Sequence, residues 1–217
     1  MSNIKQIIIV GAGGHAAELD DYLHYANQKA TEWKIKGFLD DDASSYAHYS
    51  FSAPYLGTIA EHQVDPGSEY LIGIAQISFR RKIVEDLQKK GGIFSSFIHP
   101  EAFISRSSEI GQGVVIAPNV NLGPNTKIGA FTVLNSRCSI GHDSSIGAFN
   151  FFSPNVCLSG FSEVGNDNLF GINAATIPGI KVGTGNKIMA GMTLDKNVKD
   201  QEVVFYRYKE KVIAVNK

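Results

Sequence analysis

From Ile98 to Leu194 an apolar residue recurs at every sixth position with one exception, a beat that neither an α-helix nor an ordinary β-strand supplies. The positions are Ile98, Ile104, Ile110, Ile116, Leu122, Ile128, Leu134, Ile140, Ile146, Phe152, Leu158, Val164, Phe170, Val182, Ile188 and Leu194, with Thr176 as the interruption. If each hexad is one flat face and three faces close a coil, residues eighteen apart stack and these side chains fill a continuous interior. The next residue is often small or glycine, as at Gly111, Gly123, Gly129, Gly141, Gly165 and Gly183, which suits a tight corner. Four residues after each apolar position comes a second, smaller inward slot, held by Val114, Val120, Thr126, Thr132, Cys138, Val156 and Ala174 among others. At three positions per coil the run predicts about five coils of a triangular parallel β-solenoid.

At 217 residues and 43% hydrophobic content the chain can bury two modest cores. The expected division is 1–95, 96–200 for the repeat, and a 201–217 tail. A net charge of −1 without a block of like charge argues against nucleic acid or an anionic membrane as partner. Both cysteines, Cys138 and Cys157, lie in the repeat, and no secretory leader or membrane-spanning run is legible, which makes a reducing cytoplasm the expectation.

The first ninety-odd residues alternate strand and helix periods. Lys5 to Val10 reads as a buried strand running into Gly11-Ala12-Gly13-Gly14-His15, and Ala16 to Ala26 has helical spacing. Strands are expected at Ile35 to Leu39 and Tyr70 to Ile74, and a helix over Ser78 to Lys90. This order predicts a small Rossmann-like parallel sheet with its ligand site beyond the carboxyl ends of the strands. Glycines at 11, 13 and 14 let backbone N–H groups approach a diphosphate, but Ala16 stands where the third glycine of G-x-G-x-x-G would fall, and the stretch by itself reads either as a nucleotide site or as a plain tight turn. The acidic run Asp40-Asp41-Asp42 closes the second strand and reads either as acceptors for a ribose or base or as a solvated loop.

The Gly14-His15 turn, the Gly-Phe-Leu-Asp-Asp-Asp strand end and the hexapeptide repeat together resemble the bacterial sugar acetyltransferases. That hexapeptide-repeat group includes the nucleotide-sugar N-acetyltransferases and the sialic acid O-acetyltransferases. The resemblance covers nearly the whole chain. It implies a left-handed parallel β-helix, a homotrimer, a nucleotide-linked amino sugar on the small α/β domain, and acetyl-CoA in the groove between neighbouring helices. Carried over, Gly13, Gly14 and His15 would lie near the phosphates and Asp40 and Asp41 near the base.

Acetyl transfer needs a base that exchanges protons near neutrality, which directs attention to histidine. His99 precedes Pro100 and reads as a junction residue, whereas His142, in Ile140-Gly141-His142-Asp143, falls at an outward slot deep in the repeat. Gly-His-Asp here is similar to the family's catalytic motif, which makes His142 the expected proton acceptor. Asp143 beside it would favour the charged imidazolium. The resemblance also places Gly160 as the backbone donor to the oxyanion, Asn135 near the acceptor sugar, and Gly171, Ile172, Ala190 and Gly191 along the pantetheine. Phe151 takes a slot that carries a second, cofactor-contacting histidine in some relatives, so as a cofactor-binding candidate it would replace that contact with an apolar one or leave it absent. The Val203 to Lys209 segment replaces the family's usual C-terminal Gly-x-Pro-Ala-Lys and offers aromatic and basic groups for an adenine and its phosphate.

No metal is expected. A zinc carbonic anhydrase on such a helix would need three histidine ligands per site, and the repeat holds only His99 and His142. Two other functions stay open from sequence: O-acetylation of sialic acid or a related sugar hydroxyl, and a non-catalytic nucleotide-sugar-binding β-helix.

Overall fold

The computed structural model describes residues 4–29 and 33–206. The amino-terminal part is a four-stranded parallel sheet in the order β2-β1-β3-β4, with β1 at Lys5–Val10, β2 at Trp33–Leu39, β3 at Glu69–Ile72 and β4 at Ile93–Phe94. Helix α1 (Gly14–Lys29) follows β1, a short α2 (Ala43–Ala47) follows β2, and α3 (Ile77–Lys89) follows β3. Strand β1 is central and its Ile7 to Val10 run is fully buried, the pattern of a strand covered on both faces. Neither α2 nor β4 is legible in the sequence: α2 is a single turn capped by the Asp42 carboxylate on Ser44 N–H, and β4 is two residues long.

From Phe97 onward the chain is a left-handed parallel β-helix. Eighteen two-residue strands from Phe97–Ile98 to Val203–Val204 stack into faces of seven, six and five strands, making about six turns. The expected five coils fall one short because the last coil departs from the eighteen-residue register. Val198 pairs with Val182 and Val203 with Lys187, each sixteen residues apart. Val203–Val204, assigned to the tail by the hexad count, is thus the last strand of the seven-stranded face.

The hexad positions fill the prism as one core, from Ile116 through Phe152 and Phe170 to Leu194. Ile98 is the exception at 41% exposed: it lies on the first coil, with no coil beneath it. Thr176 also points inward, and its hydroxyl accepts from Ser159 N–H (3.0 Å) while pairing with the Ser162 hydroxyl (3.1 Å), so the interruption in the beat is a satisfied polar group. Asn150, Asn168 and Asn186 form a buried ladder, each side-chain oxygen accepting a backbone N–H of the coil above.

The corner is built differently from the sequence expectation. The residue in left-handed conformation is not the glycine after the apolar position but the one two places later. Asn119, Asn125, Asp143, Asn155, Asp167 and Asn173 all have φ between 56° and 62° there, a conformation Asn and Asp tolerate well. The glycine is required by stacking: a Cβ on Gly129 would sit 2.4 Å from the carbonyl carbon of Gly147 one coil above, and on Gly141 2.4 Å from Gly160 N.

The seven-stranded face carries apolar residues in its outward slots too, namely Phe97, Val115, Val133, Phe151 and Leu169, and the α/β part packs on them through Ala16, Leu19 and Leu23 of α1. Helix α3 grips the adjoining corner. Arg80 is fully buried and donates to the Phe131 carbonyl (2.7 Å), and Arg81 pairs with Asp167 while lying over the Phe149 ring. Among the described residues no helix is long and apolar enough to cross a membrane.

Candidate active site

His142 stands on the corner between the six- and five-stranded faces, following Ile140 and Gly141, with its side chain 55% exposed. Its Nδ1 lies 2.8 Å from Oδ2 of Asp143, and the other carboxylate oxygen of Asp143 accepts from Asn125 Nδ2 at 2.9 Å. These hydrogen bonds, first that from Asn125 and then that from His142, hold the Asp143 carboxyl below the usual carboxylate range. The arrangement fixes Nδ1 as the donor to the carboxylate and leaves Nε2 as the free proton acceptor. Phe161 meets the imidazole edge-on at 5.0 Å. The ring sits over Gly160, where a Cβ would be 2.9 Å from Nε2. The Gly160 carbonyl accepts from Gly179, whereas its N–H makes no hydrogen bond to another described residue.

Gly171, Ile172, Ala190 and Gly191 stack in one column on the other edge of the six-stranded face, the corner it shares with the seven-stranded face. Asn135 belongs to that column, buried, with its side-chain oxygen accepting from Ser136 N–H (2.7 Å). Met189, Ala190, Met192, Val203, Phe205 and Tyr206 line a cavity of about 440 Å³ at its top. Arg207, Tyr208 and Lys209 lie outside the described residues. Within one chain the His142 column and the Gly171 column therefore occupy opposite edges of a face.

The glycine turn lies on the α/β part. Gly11 has φ +108° and packs against Gly73, while a Cβ on Gly13 would meet nothing within 4 Å. Asp40 accepts from Ala12 N–H (2.7 Å) with one oxygen and from Asp42 N–H (2.9 Å) with the other, so its carboxylate shapes the turn. Asp41 accepts from Ala60 N–H (3.1 Å). His15, its side chain only 7% exposed, contacts Glu18 through Nδ1 at 3.2 Å and meets Phe151 edge-on at 5.7 Å. Its Nε2 is buried without a partner among the described residues. Phe151 is thus buried between the two parts of the chain. Because the α/β part covers the seven-stranded face and His142 stands on the corner opposite, no single copy brings the glycine turn to His142.

Residues 6–87 match the family model described as the PglD N-terminal domain. The chain is similar to UDP-N-acetylbacillosamine N-acetyltransferase of Bacillus subtilis (strain 168), 26% identical over 115 residues, 52% of this chain and 51% of that protein. The chain thus aligns with about half the length of this curated relative. The acetyltransferase domain of PglB from Neisseria gonorrhoeae FA1090, solved with acetyl coenzyme A, superimposes with a TM-score of 0.82 at 25% identity, covering 93% of this chain and 96% of that one. The amino-terminal part is thus of the PglD type, and the chain as a whole shares the fold of the PglB acetyltransferase domain. Among these acetyltransferases the fold is shared with PerB from Caulobacter crescentus, solved with CoA and GDP-perosamine (TM-score 0.82, 24% identity, 94% and 95% coverage).

Two elements escaped the sequence reading. Asn125, which orients Asp143, sits one coil below it in the same slot, and an eighteen-residue spacing would have paired them. The other is the face that the α/β part covers, whose unread signal was the outward apolar residues at 97, 115, 133, 151 and 169, again eighteen apart.

Proposed function

We propose that this chain transfers the acetyl group of acetyl-CoA to the amino group of a nucleotide-linked 4-amino-4,6-dideoxy sugar. The observation that carries the reading is the corner at His142: an exposed imidazole whose Nδ1 is tied to an anchored carboxylate and whose Nε2 hangs over a glycine with an N–H unengaged among the described residues. In the proposed reaction the amine nitrogen attacks the thioester carbonyl carbon and His142 Nε2 takes the amine proton. The carbonyl oxygen becomes an oxyanion facing Gly160 N–H. The C–S bond then breaks, the amide forms, and the CoA thiolate leaves with the proton returned by the imidazolium. A fixed donor of this kind contributes about 3 kcal/mol, and a positioned base roughly 10²- to 10⁴-fold.

The column Gly171, Ile172, Ala190 and Gly191, with the cavity at Phe205 and Tyr206, suits the pantetheine and adenine of the donor. The glycine turn at Gly13, Gly14 and His15 suits the diphosphate, with Asp41 toward the base and Asn135 toward the acceptor sugar. Since these elements and His142 lie apart within one chain, the complete site in this reading forms between copies, in a homotrimer of β-helices. The test is CoA release from acetyl-CoA across a panel of UDP-, GDP- and dTDP-linked amino sugars, with free sialic acid as control. Turnover of one nucleotide amino sugar, and a loss of at least about 10² in kcat on His142→Ala, are expected. Turnover surviving His142→Ala within a few-fold removes the base assignment, and acetylation of sialic acid alone replaces the substrate.

A further inference from the structure

Helix α1 starts without a side-chain cap. Its preceding residue is Gly13, and the backbone N–H groups of Gly14, His15 and Ala16 find no acceptor among the described residues, whereas the next helix is capped by Asp42. At the same helix end the His15 imidazole, 7% exposed, keeps Nε2 buried and unpartnered. A third group converges there from a distant stretch of sequence: the Tyr49 hydroxyl, which lies 3.1 Å from where a Gly14 Cβ would be. Tyr49 is 39% exposed, and its hydroxyl has no hydrogen-bond partner among the described residues.

The loop that delivers it is held firmly. The buried Asp20 carboxylate accepts from both the backbone N–H and the hydroxyl of Ser52, and the Tyr46 hydroxyl donates to the Ala53 carbonyl (2.9 Å). Tyr46 stacks on Phe51 at 5.1 Å, and Tyr49 leans edge-on against Phe51 and His48. A phenol fixed beside free N–H donors, next to a glycine whose flank is open, makes a wall and a donor for an anion.

We propose that Tyr49 is a substrate-binding residue of this turn, its phenol donating to a phosphate oxygen of the nucleotide sugar seated at the amino end of α1. The inference rests on the nucleotide-sugar reading above and adds to it a residue outside the glycine motif. Tyr49→Phe deletes one oxygen and keeps the ring. In isothermal titrations with UDP, GDP and dTDP, the nucleotide that wild-type protein binds best is expected to bind the variant about tenfold more weakly, the size of a lost hydrogen bond to a charged group. KM for the nucleotide amino sugar should rise by a similar factor, while kcat and KM for acetyl-CoA stay within about twofold. The melting temperature should be unchanged, because no protein group loses a partner. Wild-type nucleotide affinity in Tyr49→Phe overturns the proposal alone; a wild-type protein that binds none of the three nucleotides overturns the reading of the turn and the proposal with it. A lowered melting temperature in Tyr49→Phe would show the hydroxyl to be structural and equally overturn it.

Discussion

The imidazole of His142 lies over Gly160 so closely that a Cβ at that glycine would stand 2.9 Å from Nε2 and from Cε1. Gly160→Ala is therefore expected to turn the ring away from its place without disturbing the coil, since the ring is exposed and can swing outward. A misplaced base costs on the order of 10² in kcat. Steady-state kinetics and a thermal melt check this together: kcat should fall with the melting temperature held, and an unaltered kcat would mean that the ring's position over Gly160 is immaterial.

A different glycine tests the stacking rule. At Gly129 a Cβ would meet the carbonyl carbon of Gly147 at 2.4 Å, a backbone atom that cannot rotate away. Gly129→Ala should destabilise the chain by roughly 1–3 kcal/mol through overpacking, measured by urea denaturation. A stability equal to wild type would mean the coils can separate locally at little cost.

The contrast between these glycines shows what sequence can and cannot tell. The six-residue beat announces the prism because the inward anchor of nearly every strand is apolar, whatever the corner does, and the one polar anchor, Thr176, is hydrogen-bonded inside. The corner is less legible: glycine at 129 or 141 looks like a turn residue, yet the left-handed residues are Phe131 and Asp143, and glycine answers to the coil above. His142 was legible as an outward residue because its slot is outward in every hexad. The opposition between the His142 corner and the α/β part was not, because it depends on which face the amino-terminal part covers. That choice is written in Val115, Val133 and Phe151, whose outward apolarity shows only when the chain is read every eighteen residues. Tyr49 was beyond pattern altogether, since it reaches Gly14 through a loop with no period.

Gly13 gives the converse of Gly129. A Cβ there meets no protein atom within 4 Å, and Gly13→Ala should leave stability within about 0.5 kcal/mol of wild type. Nucleotide binding should nevertheless weaken several-fold, because the methyl would occupy the space that a diphosphate needs to approach the N–H groups. Calorimetric titration beside a melt separates the two. Undiminished affinity would place the phosphates elsewhere.

His99 offers a pH test of the docked arrangement. It is 4% exposed, stacked on Tyr25, edge-on to Tyr22 and Phe97, and its Nδ1 accepts from Glu101 N–H. Burial lowers its pKa from the ordinary 6.5, with Glu101 opposing. A folded state with the lower pKa binds fewer protons than the unfolded chain, so His99 favours folding above pH 6.5 and loses that contribution as pH falls toward its folded value. His99→Asn keeps an acceptor for Glu101 N–H and does not titrate. The stability difference between wild type and this variant should thus shrink between pH 7 and pH 5 in parallel urea titrations. A constant difference would mean that His99 titrates alike in the folded and unfolded chains.

The separation of the glycine turn from His142 within one chain leads to a test of assembly. If the reacting pair comes from two copies, a chain lacking the base and a chain lacking the nucleotide site can complement each other. His142→Ala removes the first, and Gly13→Glu sets a carboxylate against the diphosphate. Each variant alone should be nearly inactive. Co-expressed with different tags and purified through both, the mixed trimers should recover roughly one third of wild-type sites, because a ring holding both variants contains one interface in three at which an intact base meets an intact nucleotide site. Activity no greater than the sum of the separate variants would instead require that one chain supply both halves. The α/β part would then have to leave the face formed by Val115, Val133 and Phe151, exposing residues that are now at most 7% accessible.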